Sequence, residues 1–159
     1  MTQPFLTHLT WHPMDQKFSY NSYSRMYTIR AKGKPDFVGT AAPDYNGSKY
    51  HYNPEDMLIM SLSACHMLSY LAYASNSKVE VLSYQDDAQG VLHSENKRIK
   101  FKEIILSPKI VISEDSDIKR AEALHEKAHD ACFIANSVNF PILIQPKISI
   151  GKLSLINVA

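Results

Sequence analysis

The chain has 159 residues, of which 45% are hydrophobic, so it is large and apolar enough to form one domain with its own core. Its formal net charge is only +1, and its basic residues form no run, which excludes the electrostatic footprint of a nucleic-acid-binding protein. The two cysteines, and an N-terminus without the pattern of a signal peptide, argue against a framework of structural disulfides. We therefore expect a single cytoplasmic domain spanning residues 1–159.

The first part of the chain predicts a β-hairpin. Residues alternate from Phe18 to Ala31, and this alternation puts Arg25 on one face of a strand together with two tyrosines. A turn signal from Lys32 to Pro35 then returns the chain as a second strand from Phe37 to Ala42. If Arg25 faces the core, its guanidinium needs an anion or several acceptors, whereas at a strand edge it would reach solvent. The alternation leaves both positions open.

The longest predicted helix begins at Asn53 and continues through an apolar stretch from Met57 to Ala74. Asn53 is suited to cap the helix, and Pro54 is favoured at the first helical position. Apolar residues occupy nearly every phase of this helix, which indicates that protein surrounds it on all sides. A membrane span is the competing interpretation, but the serines and the histidine within the stretch argue against it. Cys65 lies at the middle of this helix.

The second part of the chain predicts further strands around a second helix. We first expect a strand from Val79 to Leu92 with a bend near Asp86 and Gly90, and then a turn at Ser94–Lys97. A strand from Ile99 to Ile112, broken at Pro108, should follow, and then a helix capped by Ser113. The last predicted elements are a short helical piece over Phe133–Val138 and a strand from Ile142 to Ile150 interrupted at Pro146. The order β-β-α-β-β-α-β is typical of an α+β domain with antiparallel sheets.

The cysteines are the first candidates for chemistry. A cysteine in a buried apolar helix is usually an inert hydrophobic residue, so Cys65 and Cys132 are structural unless a cation such as Arg25 lies close enough to favour a thiolate. His66 follows Cys65 directly, but consecutive helical residues point about 100° apart, which argues against a Cys65–His66 dyad.

Glu55 is a second candidate, with a geometric constraint. It lies ten residues before Cys65, roughly 15 Å along the same helix, and therefore cannot contact that sulfur within one straight helix. Glu55 is either a first-turn acid favoured by the helix dipole or a site residue supplied by a second subunit across a two-fold axis.

A third possibility is a metal site on the second helix. His125, His129 and Cys132 follow one another at spacings of four and three, which allows three ligands on one side of a helix. The sequence identifies no fourth ligand, so a Cys/His metal-binding protein remains an alternative.

Two motifs resemble those of the OsmC/Ohr family, the osmotically induced and organic-hydroperoxide-resistance proteins. The first motif, from Asn53 to Leu68, reads NPEDMLIMSLSACHML. The second motif, from Ala128 to Pro141, reads AHDACFIANSVNFP. In the family pattern a cysteine follows the glutamate of Asn-Pro-Glu by ten residues, as Cys65 follows Glu55 here. The glycine-rich stretch often found near the family's N-terminus is replaced by a tyrosine-rich one.

This resemblance implies a fold and an activity. The fold would be OsmC-like, with antiparallel sheets around a buried central helix and an intertwined homodimer. The activity would be that of a thiol peroxidase, in which Cys65 attacks an organic hydroperoxide, becomes a sulfenic acid and forms a disulfide with Cys132. Arg25 would stabilise the thiolate, and Glu55 would hold Arg25.

The resemblance also suggests the other reactants. The substrate would be a fatty-acid or other alkyl hydroperoxide, and a lipoyl-type dithiol would reduce the disulfide. The cycle needs no prosthetic group, metal, nucleic acid or membrane. The alternative is a non-enzymatic binding protein that holds a lipid-like ligand in the same apolar pocket.

Overall fold

The structure, a computed structural model, describes residues 4–14 and 17–152. In chain order its strands and main helices are β1 (His8–Thr10), β2 (Tyr27–Arg30), β3 (Phe37–Gly39), α1 (Pro54–Asn76), β4 (Val81–Asp86), β5 (Gln89–Glu95), β6 (Arg98–Leu106), β7 (Pro108–Ile112), α2 (Ile118–Asp130), β8 (Ile142–Ile144) and β9 (Lys147–Ile150). Single 3₁₀ turns occur at Pro43–Tyr45 and Ala135–Ser137. The chain forms two compact units, and the boundary between them falls within α1, after Leu58.

The N-terminal unit contains a three-stranded antiparallel sheet in the order β1-β2-β3. The predicted hairpin is confirmed, because Ile29 of β2 pairs with Phe37 of β3. Gly33 lies in the connecting turn with a φ of 77°, a left-handed conformation that glycine adopts without the penalty of a Cβ atom. Strand β1 is an addition that the alternation did not predict.

The predicted strand from Phe18 to Ala31 is wrong before Tyr27. The backbone amides of Ser22 and Tyr23 both donate hydrogen bonds to the carbonyl of Ser19, at 3.0 and 2.9 Å. The hydroxyl groups of Ser19 and Ser22 are 2.6 Å apart. Local bonds of this kind compete with a sheet ladder, so this stretch forms a turn despite its alternating pattern.

Helix α1 begins where the sequence predicts. The side-chain oxygen Oδ1 of Asn53 accepts a hydrogen bond from the amide of Asp56 at 2.8 Å, and the Asp56 carboxylate accepts from the amide of Asn53 at 3.2 Å. This reciprocal pair satisfies two backbone donors at the helix N-terminus. By length and composition alone, α1 would be able to cross a bilayer.

Within the C-terminal unit, only one face of α1 is buried. Its buried residues recur every four positions and are Leu62, His66, Tyr70 and Ala74. On another face, Met60, Ala64, Leu68 and Ala72 are exposed. Among the described residues, protein therefore does not surround this part of the helix on all sides, and an apolar stripe is exposed.

The C-terminal unit contains two three-stranded sheets, in the orders β4-β7-β9 and β5-β6-β8. Both are mixed, because β4–β7 and β5–β6 are antiparallel whereas β7–β9 and β6–β8 are parallel. The expectation of purely antiparallel sheets was therefore wrong. The chain passes through α2 between β7 and β8, and a connection of that length allows a strand to return in parallel.

The α+β class is confirmed, as are the predicted breaks. The stretches 79–92 and 99–112 each divide into two strands that belong to different sheets. The core packs α1 and α2 against these strands and comprises Tyr70, Ala74, Val79, Ile110, Ile112, Ala121, Leu124 and Ala128.

The start of α2 differs from the prediction. Asp117, not Ser113, caps the helix, because its carboxylate accepts a hydrogen bond from the amide of Arg120 at 3.0 Å. The amide of Ser113 instead donates to the carbonyl of Glu80 at 2.9 Å, and its hydroxyl lies 2.9 Å from that of Ser116. Ser113 thus continues the pairing of β7 with the chain before β4, and the helix begins later.

Candidate active site

The C-terminal unit brings the two cysteines together. Cys65 is half-buried at the middle of α1, whereas Cys132 follows the end of α2 and is only 1% exposed. Both are free thiols, and they are close enough for Cys65 to affect the pKa of Cys132. Burial raises the pKa of Cys132 to about 11, and the neighbouring Cys65 adds to the increase. At neutral pH Cys132 is therefore a protonated thiol beside the more accessible Cys65.

A tight turn after α2 holds Cys132. The amide of Cys132 donates to the carbonyl of His129 at 3.1 Å, and the amide of Ala135 donates to its sulfur at 3.4 Å. The side-chain amide of Asn136 donates to the carbonyl of Asp130 at 2.8 Å and so satisfies one of the last carbonyls of the helix. The C-terminal end of a helix carries partial negative charge, which also disfavours a thiolate at Cys132.

In the N-terminal unit, Arg25 is buried, with 9% of its surface exposed. Its guanidinium donates three hydrogen bonds to backbone carbonyls, to Tyr45 at 3.2 Å and to Tyr23 and Tyr20 at 2.6 Å each. Its Cζ atom also lies 3.6 Å from the centre of the Tyr23 ring. The interpretation of Arg25 as a solvent-exposed strand-edge residue was therefore wrong, and several acceptors meet its needs.

Aromatic rings support the loop that holds Arg25. The ring of Trp11 packs against Phe18 and Tyr23 at centroid distances of 5.8 and 6.2 Å, and its indole N–H donates to the carbonyl of Ser24 at 2.6 Å. Sequence reasoning missed this supporting role. The signal available was the tyrosine-rich composition of the stretch between Trp11 and Tyr27.

Glu55 lies in the first turn of α1, in the same unit as Arg25. Its Oε2 atom is buried and has no hydrogen-bond partner among the described residues. Burial raises the pKa of the Tyr27 hydroxyl, and the charge of Glu55 raises it further. No ion pair joins Glu55 to Arg25 in the described part of the chain.

Beside the cysteine pair, the C-terminal unit buries two histidines that contact each other. The Nε2 atom of His66 lies 3.0 Å from the Nδ1 atom of His125, and the two rings stack with centroids 5.3 Å apart. The rings are only 1% and 5% exposed, and Tyr70 stacks on His125 at 4.3 Å. The two histidines are 59 positions apart in sequence, so no local pattern predicts this contact.

Both of these histidines are neutral at pH 7. Burial lowers the pKa of His66 to about 4, and His129 lowers it further, while Asp86 acts in the opposite direction. Burial likewise lowers the pKa of His125 to about 4, with a further contribution from His66. One neutral ring therefore donates a hydrogen bond through its N–H, and the bare nitrogen of the other ring accepts it.

The side chains proposed as metal ligands do not form a metal site. Within the described ranges, no group of three or more His, Cys, Asp or Glu side chains is arranged to hold a metal ion. His125 uses one ring nitrogen to contact His66.

A groove of about 340 Å³ runs beside α1 in the same unit. Its lining residues are Ile59, Met60, Ser63, Ala64, Met67, Tyr84, Asp86 and Ala88. The hydroxyl of Ser63 donates to the Asp86 carboxylate at 2.5 Å, and the amide of Ser107 donates to the other oxygen of Asp86 at 2.7 Å. The groove thus has apolar walls with one hydrogen-bonded carboxylate, and Cys65 is not among its lining residues.

Comparison with known proteins places this arrangement in a family. The family model described as OsmC-like protein matches residues 46–147, which contain α1, α2 and both cysteines. The chain belongs to the OsmC family. Its recognition from the two sequence motifs is therefore confirmed, and its α+β architecture is an OsmC-like fold.

Several relatives of this OsmC-like chain are known. A solved OsmC-like protein of unknown function from Vibrio cholerae is 29% identical, with a TM-score of 0.86 over 92% of this chain and 100% of that one. The uncharacterized protein YmaD of Bacillus subtilis is 25% identical over 62% of this chain and 67% of its own length. The organic hydroperoxide resistance protein OhrB of Bacillus subtilis shares the fold, with a TM-score of 0.61 and 17% identity over 91% and 98% of the two chains.

The neutral histidine pair predicts a pH-dependent stability. In the unfolded chain the pKa of each ring returns to 6.5, so below that pH the unfolded state binds more protons than the folded state. The free energy of unfolding should therefore decrease as the pH is lowered from 6.5 towards about 4. Urea titrations at several pH values measure it, and the decrease should be shallower in the double variant His66→Gln/His125→Asn.

The matched control for this prediction is His8→Gln, because His8 is exposed on β1. The control should follow the wild-type pH dependence. Equal pH dependence in the double variant and the wild type would contradict the assignment of this effect to the buried rings.

Proposed function

We propose that this protein is a cysteine-based thiol peroxidase that reduces organic hydroperoxides to alcohols. The observation that carries the proposal is the pair of neighbouring free thiols, half-buried Cys65 and buried Cys132. An attacking thiol must be reached by substrate, whereas a thiol that only closes a disulfide is best kept protonated until it is needed. Membership of a family that includes proteins named for organic hydroperoxide resistance supports the same activity.

The proposed cycle has three balanced steps. The Cys65 thiolate attacks the distal oxygen of the hydroperoxide, the O–O bond breaks, and the leaving alkoxide takes up a proton to become an alcohol. Cys65 is now a sulfenic acid. The sulfur of Cys132 attacks the Cys65 sulfur, loses its proton, and displaces hydroxide, which leaves as water. An external dithiol, of the lipoyl type in our proposal, reduces the disulfide and becomes a disulfide itself.

Arg25 is the proposed cation for the first step. A thiolate and a developing alkoxide are both anionic, and a preorganised donor stabilises such charge most effectively. Arg25 suits this role because carbonyls and tyrosine rings hold it and no carboxylate of the described residues neutralises it. We assign Glu55, with its unpartnered carboxylate oxygen, to orienting Arg25 in the assembled site.

We further propose that the protein works as an intertwined homodimer in the cytoplasm. The exposed stripe of α1, formed by Met60, Ala64, Leu68 and Ala72, is apolar and continuous over three turns. A second subunit would cover it, and the antiparallel copy of α1 would bring its Glu55 towards the Cys65 of the first. Apolar walls supplied in this way favour alkyl hydroperoxides over hydrogen peroxide.

The first prediction concerns turnover. Wild-type protein with a dithiol should consume cumene hydroperoxide faster than hydrogen peroxide, and Cys65→Ser should lose at least about a hundredfold in rate because the nucleophile is gone. Cys132→Ser should still form a sulfenic acid at Cys65, which mass spectrometry detects, and should over-oxidise in excess peroxide. A wild-type protein that binds lipid-like ligands but consumes no hydroperoxide with any dithiol would instead support the binding-protein alternative.

A second prediction concerns Arg25. Lysine keeps the positive charge but lacks the planar fork that donates to three carbonyls, so Arg25→Lys should lose about tenfold or more in kcat/KM. The matched control is Arg30→Lys, because Arg30 is exposed and pairs with Asp36 at 2.9 Å. The control should retain turnover. Normal activity in a well-folded Arg25→Lys variant would assign the cation to another residue.

A third prediction tests the dimer by complementation. Ten helical residues separate Glu55 from Cys65, so the site should take them from different subunits. Inactive Glu55→Ala and Cys65→Ser proteins, mixed, unfolded and refolded together, should recover roughly a quarter of wild-type turnover, because half the dimers then carry one intact site. The absence of recovery, with heterodimers demonstrated by mass spectrometry, would place both residues in one subunit or remove Glu55 from the site.

A further inference from the structure

The histidine pair joins the two helices that carry the cysteines. His66 is the residue after Cys65 on α1, and His125 lies on α2, seven residues before Cys132, which follows the end of that helix. His125 belongs to the buried face of α2, together with Ala128 in the last turn of the helix before Cys132. The 3.0 Å contact between the two rings is therefore a direct polar link between α1 and α2 beside the thiols.

Among the residues that the structure describes, none offers either ring a competing hydrogen bond. The remaining ring nitrogens, His66 Nδ1 and His125 Nε2, are buried without a partner in the described ranges. Whichever ring carries the N–H, the nitrogen of the other ring must accept the hydrogen bond. Neither ring has another hydrogen-bond partner among the described residues. Because a buried polar group is costly when unpaired, this single hydrogen bond governs how the two rings face each other.

Aromatic packing fixes the pair from one side. Tyr70 stacks on the His125 ring at 4.3 Å, and its hydroxyl donates to the carbonyl of Ala121 on α2 at 3.2 Å. Tyr70 and His66 both belong to the buried face of α1. The contact between the histidines is thus one of several polar and aromatic contacts between α1 and α2. A change in it alters how α2 packs on α1.

We propose that His66 and His125 are positioning residues for the redox pair: their hydrogen bond holds the end of α2 so that Cys132 stays within bonding reach of Cys65. This inference deepens the proposed function and rests on it only for its catalytic consequence. A disulfide requires the two Cα atoms to lie about 4.4–6.8 Å apart, so a small displacement of α2 is enough to slow closure. Slow closure exposes the Cys65 sulfenic acid to a second peroxide and to irreversible oxidation.

The test measures disulfide formation without any peroxide. Wild-type protein and variants are equilibrated in glutathione redox buffers, quenched with an alkylating agent, and analysed by mass spectrometry for the Cys65–Cys132 disulfide. His125→Phe keeps a ring against Tyr70 but loses the hydrogen bond. The effective concentration of the two thiols should then decrease about fivefold or more, the change expected for one lost hydrogen bond.

Two further variants separate positioning from stability. His66→Gln retains a polar atom near the position of Nε2. The effective concentration of the two thiols in this variant should therefore stay within about twofold of wild type. The double variant His66→Leu/His125→Leu replaces both partners by apolar side chains, which costs little stability, yet it should show the same decrease as His125→Phe. The exposed His8→Gln variant serves as the unchanged control.

Single-turnover oxidation with one equivalent of cumene hydroperoxide completes the test. The rate of Cys65 oxidation should be unchanged in His125→Phe, while disulfide closure slows and over-oxidised Cys65 accumulates. A wild-type disulfide equilibrium in a folded His125→Phe or double-leucine variant would overturn the positioning role. A wild-type protein that forms the disulfide in glutathione buffer but consumes no hydroperoxide would overturn the proposed function alone.

Discussion

The contact between one face of α1 and the elements packed on it is the constraint on which the rest of the C-terminal unit depends. That face repeats every four residues, and two of its four members, His66 and Tyr70, are polar aromatic side chains. Burial of an apolar side chain contributes about 1.5–3 kcal/mol, but it does not select one register of packing over a neighbouring one. The hydrogen bond between His66 and His125 and the one that Tyr70 donates to Ala121 supply that selection, since only one alignment of α1 and α2 satisfies both.

The charges of the molecule are distributed unevenly between surface and interior. Ion pairs of the described residues, such as Arg30–Asp36 and Lys109–Asp87, lie at the surface, where such pairs contribute little to stability. The interior of the C-terminal unit holds neutral titratable groups, among them a protonated Cys132 and two uncharged histidines. Arg25 in the N-terminal unit is the contrasting case, a buried cation satisfied by dipoles and rings. Because no carboxylate of the described residues neutralises this cation, its positive charge can stabilise an anion that binds nearby.

Local chemistry explains which parts of the fold were predictable. The Asn53–Pro54 start of α1, the breaks near Asp86 and at Pro108, and the hairpin turn before Phe37 all depend on residues adjacent in sequence, and each is confirmed. The turn after Ser19 was missed because serine side chains compete with the backbone ladder in a way that alternation cannot register. The parallel pairing of β8 with β6 and of β9 with β7 depends on distant segments, as does the exposed stripe on α1. No periodicity in the sequence encodes these features.

The same division applies to the site. The two family motifs contain Cys65, Cys132 and Glu55, the strand alternation singled out Arg25, and the structure makes the two cysteines neighbours. Geometry ruled out His66 as a partner of its neighbour Cys65, but that argument considered one helix only. The partner of His66 lies on α2, and two residues 59 positions apart become neighbours only once both helices have packed.

The parallel pairing also bears on how the chain acquires its structure during synthesis. Strands β8 and β9 are the third members of their sheets. They come from residues 142–150, after every other strand and helix of the described chain. Until that segment leaves the ribosome, β6 and β7 each have an edge with unpaired backbone N–H and C=O groups. Such an edge can pair with the strands of other nascent chains. Completion of both sheets therefore requires a segment that follows both cysteines in the chain. Until residues 142–150 pair, one edge of β6 and one edge of β7 therefore lack a partner strand.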